Sequence, residues 1–428
     1  MGYILTTFAH GNGPYCRAVD LVIAYNDIRE KNGLSRLPAV FPLVPSYAFK
    51  GKAPGSRQIQ FMKETADEVA GKDFLSEHPY EFFLDQDLGA VLDRVLFKGS
   101  NYEEALNDLI KNYKKNRADF LKLLEKGKRE IRTLDGEVAS IDLKDAKIAF
   151  EFNNRINTEH PNAMYINGGA GYFVEILERA LDLPQVKVDR ELIKAAIPLA
   201  EKLTAHQKLH FISDPGVFSY DKTRIKRYNT EIYTPPQIHV PKTDDTPLPA
   251  DGIYVVVTGI KGLSESGIYD IASQTGLQIY SSDKEFNERF KGIYHPPYKI
   301  ANPRIKSQIA RTGWSSVWQI HMLAEHSLNI GLLYPKYEPR DDPEILMNNL
   351  GVENLGLGVE IDTSNPKISL EKAIALAENN AKFNQALKAK YGTLDGINYT
   401  ANMIVDVLEG KGITTHARKK PILQDLQL

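Results

Sequence analysis

Apolar positions along the chain fall into short continuous runs, and stretches with apolar residues at helical spacing follow most of them. Residues 3–8, 148–152, 163–166 and 209–213 read as buried strands, and helical periodicity covers 16–31, 102–131, 172–181 and 191–205. Residues 38–55 carry repeated Pro and Gly between apolar residues, which predicts a short strand and an irregular loop. Beyond 251 the alternation restarts, with a β-branched run over 253–258, a helix over 267–274, and strands over 277–280 and 328–333. A helix over 343–350, a strand over 356–361, and helices over 369–391 and 399–408 complete the pattern. Strands alternating with helices predict an α/β chain of two Rossmann-like doubly wound parallel sheets with right-handed crossovers.

Punctuation places the boundary. Thr234-Pro235-Pro236, Val240-Pro241 and Thr246-Pro247-Leu248-Pro249 crowd proline into one short region, and proline stiffens the chain while donating nothing to a sheet. The expected division is therefore 1–240, 241–390 and a C-terminal helical tail, 391–428, that crosses back onto the first domain. The strand at 209–213 is expected to close the first sheet. A length of 428 residues fits two cores better than one.

Composition excludes several classes. A formal net charge of −2 is too even for wholesale nucleic-acid binding. Cys16 is the only cysteine, which rules out an intrachain disulfide and a multi-thiolate metal site. No apolar run approaches the about 18 residues of a membrane span, and the first residues lack a basic and then apolar leader. A cytoplasmic protein is expected. The start Met1-Gly2 with Thr6 matches a loose myristoylation pattern, but Tyr3-Ile4-Leu5 reads as a buried strand instead. The 102–131 helix has a basic face, read as a solvated surface or as a contact with an acidic acceptor or an anionic membrane.

Candidate chemistry concentrates at Gln308-Ile309-Ala310-Arg311-Thr312-Gly313-Trp314-Ser315-Ser316-Val317-Trp318-Gln319, where an apolar strand runs through a glycine into a helix. Free N–H groups at a helix start, a glycine that permits close approach and two hydroxyls make an anion seat, read here as a diphosphate seat that needs no metal. Three other turns accompany it. Ala9-His10-Gly11-Asn12-Gly13-Pro14 follows the first strand, where His10 is either a general base or a turn cap. Asn167-Gly168-Gly169-Ala170-Gly171 is a sharp turn that is structural or touches a sugar, and Gly259-Ile260-Lys261-Gly262 carries a lysine that reaches a phosphate or simply solvent. Neither Gly11/Gly13 nor the later turns complete the dinucleotide fingerprint, which argues against an oxidoreductase.

The block Thr312-Gly313-Trp314-Ser315-Ser316 with Gln319 resembles the donor-binding signature of nucleotide-sugar glycosyltransferases of the GT-B fold. Plant and animal members of that superfamily carry His-Cys-Gly-Trp-Asn-Ser with a glutamate three residues on. The downstream run Leu333-Tyr334-Pro335, Arg340-Asp341-Asp342-Pro343-Glu344, Asn348-Asn349 and Leu350-Gly351 is similar to the superfamily's proline, acidic-amide pair, asparagine and closing glycine. About fifty residues match specifically.

The resemblance implies two Rossmann-like domains facing across a cleft and transfer of a sugar from a UDP- or dTDP-sugar to a small-molecule, glycan or lipid hydroxyl. It implies an inverting, metal-independent reaction with no cofactor beyond the nucleotide-sugar. His10 becomes the catalytic base, in a loop whose Gly11, Asn12 and Gly13 face the acceptor. Arg311, Thr312, Gly313, Trp314, Ser315 and Ser316 hold the diphosphate; Gln319, Gly259 and Lys261 hold the nucleotide; Asp341, Asp342 and Glu344 hold the sugar. Arg311 replaces a histidine and suits phosphate through its paired N–H groups. Gln319 replaces a glutamate, and Pro343 takes the place of the amide after the acidic residue, which leaves the sugar open. Asp85 and Asp87 are the carboxylates considered as partners for His10. Two rivals remain, a nucleotide-sugar 2-epimerase of the same fold and a non-catalytic nucleotide-sugar-binding partner or sensor.

Overall fold

The computed structural model describes residues 2–7, 12–95, 101–152, 155–166, 169, 171–204, 207–256 and 265–411. The chain divides into two compact units, the first comprising Met1–Ile212, Lys226–Gln237 and Ile397–Lys419, the second Ser213–Ile225, Ile238–Gly396 and Lys420–Leu428.

The first unit holds strands β1 (Tyr3–Thr7), β2 (Ala39–Pro42), β3 (Phe82–Asp85), β4 (Lys128–Thr133), β5 (Val138–Asp142), β6 (Ala146–Glu151), β7 (Ala163–Ile166), β8 (Leu209–Ser213) and β9 (Glu231–Thr234). Their order across the sheet is β5-β4-β3-β2-β1-β6-β7-β8-β9. β1 is central because it is buried along its whole length, pairing in parallel with β2 through Ile4 opposite Ala39 and with β6 through Leu5 opposite Ala149. Strands leave it first to one side and then to the other, so the strand order reverses at its carboxyl end, after Thr7. The segment 8–11, with His10 and Gly11, lies outside the described residues. Asn12 and Gly13 open the helix Asn12–Lys31, four residues earlier than its periodicity predicts.

Two expectations for this unit need correcting. The helix read over 102–131 ends at Glu125, Gly127 follows with φ 79°, and β4 pairs antiparallel with β3 through Phe83 and Thr133. Ile131 and Thr133 are buried at every second position there, a strand's period rather than a helix's. Second, the sheet does not close at 209–213, because β9 adds a fully buried strand beyond β8. The helix Gly396–Leu408 belongs to this unit, with Ile397, Ala401 and Ile404 in the same apolar core as Ile4, Val40 and Phe150.

The second unit holds β10 (Gly252–Val255), β11 (Gln278–Ser281), β12 (Ile293–Tyr294), β13 (Ile305–Ile309), β14 (Gly331–Tyr334) and β15 (Val359–Glu360). They lie in the order β12-β11-β10-β13-β14-β15, and every neighbouring pair is parallel. This sheet also reverses direction at its first strand, so its switch point falls between the carboxyl ends of β10 and β13. The helix expected over 369–391 is two helices, Pro366–Ala377 and Asn380–Tyr391. They break because they have separate tasks. The first buries Leu370 and Ala373 against the core of β10, β13 and β14, whereas Asn384 of the second hydrogen-bonds the carbonyl of His321 at 2.8 Å.

The chain leaves the first unit at 213 and rejoins it at 226, well before the proline-rich region. Asp214, buried, accepts from Lys390 Nζ at 3.1 Å and from the Tyr391 hydroxyl at 2.7 Å, and the Trp318 indole donates to the Pro215 carbonyl at 2.8 Å. These bonds to distant residues assign 213–225 to the second unit, and nothing in the local sequence announces them. Among the described residues no helix is long and apolar enough to cross a membrane.

Candidate functional site

The strand β13 delivers Ala310-Arg311-Thr312-Gly313 to the switch point of the second sheet, and the helix Trp314–Met322 starts there. A β-strand that must end in a buried sheet while a helix begins at once leaves its connecting loop short. The loop is held from behind by the helix Pro343–Asn354. Thr312, fully buried, donates its hydroxyl to Asn349 Oδ1 at 2.6 Å, and the Trp314 indole donates to Asn348 Oδ1 at 2.8 Å. Gly351 in the same helix would bring a Cβ to 3.2 Å from the Trp314 ring, so a glycine there lets the indole lie flat against the helix. The side-chain N–H groups of Asn348 and Asn349 are buried with no partner among the described residues.

Gly313 caps the helix with φ −63° and ψ 127°, a backbone conformation open to any residue, and a Cβ placed on it would meet nothing within 4 Å. The fold therefore does not require a glycine at this position. Its carbonyl accepts from Ser316 and Val317, which leaves the N–H groups of Trp314 and Ser315 with no acceptor among the described residues. The side chains of Ser315 and Ser316 are half-buried and likewise bond to no described residue. The result is four donors clustered about an open position at the positive end of a helix, an arrangement chemically suited to an anion.

Beside it, Arg311 pairs with Asp341 Oδ2 at 2.6 Å, and the Asp341 side chain is 5% exposed. Asp341 Oδ1 also accepts from the Asp342 backbone N–H at 2.7 Å, and its carbonyl accepts from the Tyr337 hydroxyl at 2.9 Å. Burial, then Asp342 and Asp341, push the Tyr337 phenol well above its ordinary range, so it stays a neutral donor. Arg311, Thr312, Tyr337, Asp341 and Asn349 line a notch of about 10 Å³, room for one water or one ligand oxygen.

Of the residues singled out from the sequence, Arg311, Thr312, Gly313, Trp314, Ser315 and Ser316 come together at this switch point. Thr312 and Trp314 turn their polar side-chain atoms inward to the asparagines, so they hold the loop while the backbone and the two serines face outward. Gln319 is one turn on, half-buried, with Nε2 donating to the Pro297 carbonyl at 3.0 Å. Asp342 caps the 343–354 helix by accepting from Glu344 N at 3.0 Å, and Glu344 lies half-buried in its first turn. The two aspartates expected at a sugar are thus engaged in holding Arg311 and starting a helix. Gly259 and Lys261 lie outside the described residues, as does His10. Asp85 is held by Arg129 and by the Leu88 N–H, and Asp87 lies 3.5 Å from the same arginine. The role of Asn348 and Asn349 as holders of the loop was the part missed from sequence. Two adjacent amides in an apolar helix were the available signal.

No family model and no curated protein sequence matches the chain. Among solved structures, it is similar to the spinosyn rhamnosyltransferase SpnG complexed with thymidine diphosphate, at 11% identity and a TM-score of 0.46, over 96% of this chain and 100% of that one. It is also similar to a UDP-glucose: anthocyanidin 3-O-glucosyltransferase in complex with UDP, at 12% identity and 0.47, over 96% and 99%. A third similar structure is a UDP-N-acetylglucosamine 2-epimerase, at 10% identity and 0.42, over 97% and 99%. Likeness at these scores assigns neither an activity nor any residue to this chain.

Proposed function

We propose that the protein is a glycosyltransferase that moves a sugar from a nucleoside-diphosphate sugar, UDP- or dTDP-linked, to an acceptor hydroxyl. The observation that carries this reading is Gly313: a glycine that the backbone does not require, standing in open space before two N–H groups and two hydroxyls that have no partner among the described residues. A side chain there would block a ligand and nothing else.

In the reaction, the acceptor oxygen bonds to the anomeric carbon as the bond from that carbon to the diphosphate breaks. The electron pair leaves with the nucleoside diphosphate, and the acceptor's proton passes to a base. Charge grows on the departing phosphate, where the Trp314 and Ser315 N–H groups, the Ser315 and Ser316 hydroxyls and Arg311 stabilise it. Gln319 Oε1 accepts from a ribose hydroxyl, since its amide N–H is turned to Pro297. His10 is the base in this proposal, with inversion at the anomeric carbon, because a neutral imidazole takes a proton near neutral pH.

A thermal-shift screen against nucleoside diphosphates and their sugar conjugates tests the reading, since a bound donor stabilises the folded chain by mass action. A rise in Tm with UDP, dTDP or a sugar conjugate is expected, and no shift with any of them removes the proposal. His10→Ala then separates the roles. Donor binding should persist while transfer to acceptor hydroxyls is lost; inversion of the donor's own C2 would instead mark an epimerase, and binding without turnover in the unaltered protein a sensor.

A further inference from the structure

The first unit carries a groove of about 680 Å³ that the proposed transfer does not use. Tyr3, Pro38 and Glu81 line it, and these residues stand at or just before the starts of β1, β2 and β3. It therefore opens at the amino-terminal edge of a parallel sheet, whereas substrates of such sheets sit at the carboxyl edge. Its volume falls in the range of small-molecule sites.

Two features of the groove point to a ligand. Tyr3 is 2% exposed, and its hydroxyl is buried with no hydrogen-bond partner among the described residues. An unsatisfied buried hydroxyl costs free energy, so a donor that reached Tyr3 would be favoured. The second feature is charge. Glu77, Asp142 and Asp145 line the groove beside Lys128 and His78, while Glu81 and Arg36, also in the lining, are paired with each other. Arg36 is already paired with Asp27 at 2.7 Å, Glu30 at 2.9 Å and Glu81 at 2.9 Å, whereas Lys128 has no ion pair among the described residues. After burial itself, Asp142 and Asp145 are the largest influences raising the Tyr3 phenol, so both carboxylates act at that hydroxyl. Tyr80, 56% exposed, stacks on Phe83 at 6.4 Å, and both rings line the same groove.

We propose that this groove binds an organic polycation, an aliphatic diamine or polyamine, whose ammonium groups meet the carboxylates and the Tyr3 oxygen while its alkyl chain lies along Tyr80 and Phe83. An ammonium supplies the donors that Tyr3 and the carboxylates accept, and the exposed ring face of Tyr80 attracts the same charge. A metal ion would satisfy the charge but would leave the aromatic floor unused.

Titration of the full chain with spermidine, followed by calorimetry and thermal shift at about 20 mM salt, tests the site. Saturable binding with one ligand per chain is expected. Tyr3→Phe removes only the unsatisfied hydroxyl, so its Tm should equal or exceed that of the parent chain while spermidine affinity falls roughly tenfold. Asp145→Asn, at an exposed position, should weaken spermidine by a similar factor with no change in fold, and it decides the matter if Tyr3→Phe does not fold. Magnesium at equal charge concentration should not displace spermidine. Undiminished binding by both variants, or full displacement by magnesium, would mean a diffuse acidic surface and overturn the proposal. None of these readouts involves nucleotide binding, so the outcome is independent of the glycosyltransferase reading.

Discussion

Thr312 donates its hydroxyl to Asn349 Oδ1 at 2.6 Å across 37 residues of sequence, with both side chains buried. With the neighbouring bond from Trp314 to Asn348, it fixes the loop after β13 to the helix 343–354. Thr312→Val keeps the shape and removes the donor, leaving Asn349 with a buried, unmet acceptor. The expected loss is about 1–3 kcal/mol in urea unfolding. Asn348→Leu strands the Trp314 indole N–H at a similar cost, and nucleoside-diphosphate affinity should fall with each, because both hold the anion seat in place. Unchanged affinity in both variants would show that the loop needs no such support.

Gly313→Ala separates fold from function more sharply. With φ −63° and no atom within 4 Å of the added methyl, stability should stay within about 0.5 kcal/mol of the parent. Diphosphate binding, in contrast, should drop by at least about tenfold, since the methyl occupies the space in front of the Trp314 and Ser315 N–H groups. An alanine variant that binds UDP or dTDP normally would place the anion elsewhere.

The Arg311–Asp341 pair at 2.6 Å makes different predictions for its two members. Arg311→Ala should weaken nucleoside-diphosphate binding by roughly 10- to 100-fold, the value of one charged hydrogen-bond donor to phosphate. Asp341→Asn leaves the acceptor for the Asp342 N–H in place but frees the guanidinium, so diphosphate binding should be equal or tighter. If the variant instead loses the sugar conjugate while keeping the free diphosphate, Asp341 touches the sugar directly. Calorimetry with UDP and a UDP-sugar in parallel reads the difference.

Acid should destabilise the chain through two buried imidazoles. Burial lowers His210 to about 4 and His321 to about 4. His321 Nδ1 donates to Asn384 Oδ1 at 2.7 Å, its other nitrogen is buried with no partner among the described residues, and His210 is held by Thr230 and the Thr204 carbonyl. Both folded-state values lie below the unfolded value of about 6.5, so protonation favours the unfolded chain. Their contribution is complete above about pH 6.5 and is lost as pH falls toward 4. Together these groups should remove several kcal/mol, on the order of 3 each. Urea midpoints between pH 7.5 and 4.5 measure the decline, and His321→Gln should flatten part of it. An unchanged slope in that variant would show that His321 does not titrate in this window.

The hydrophobic pattern was enough to read the α/β class, the central strands of the first sheet and most strands of the second. Short runs of β-branched residues favour strands buried on both faces, and such a strand followed by a glycine and a helical period reads as a strand-turn-helix junction. Arg311 to Ser316 could be singled out from the chain alone, because the chemistry proposed for them depends on backbone N–H groups and hydroxyls that are adjacent in the chain. The hairpin of β4 and β5 was not legible, since a six-residue strand beside a long helix is too short for its period to stand out. Neither was the excursion of 213–225, whose place is set by Asp214 meeting Lys390 and Tyr391. Which polar groups are left open at the site belongs to the same class. Asp341 and Asp342 look like ligand residues in the sequence, and only the tertiary structure engages them with Arg311 and a helix cap. It likewise turns Asn348 and Asn349 toward Trp314 and Thr312. The sequence determines what each stretch can form from its neighbours. Which side chains face a ligand and which face each other is decided by contacts dozens of residues apart, and no local period encodes those.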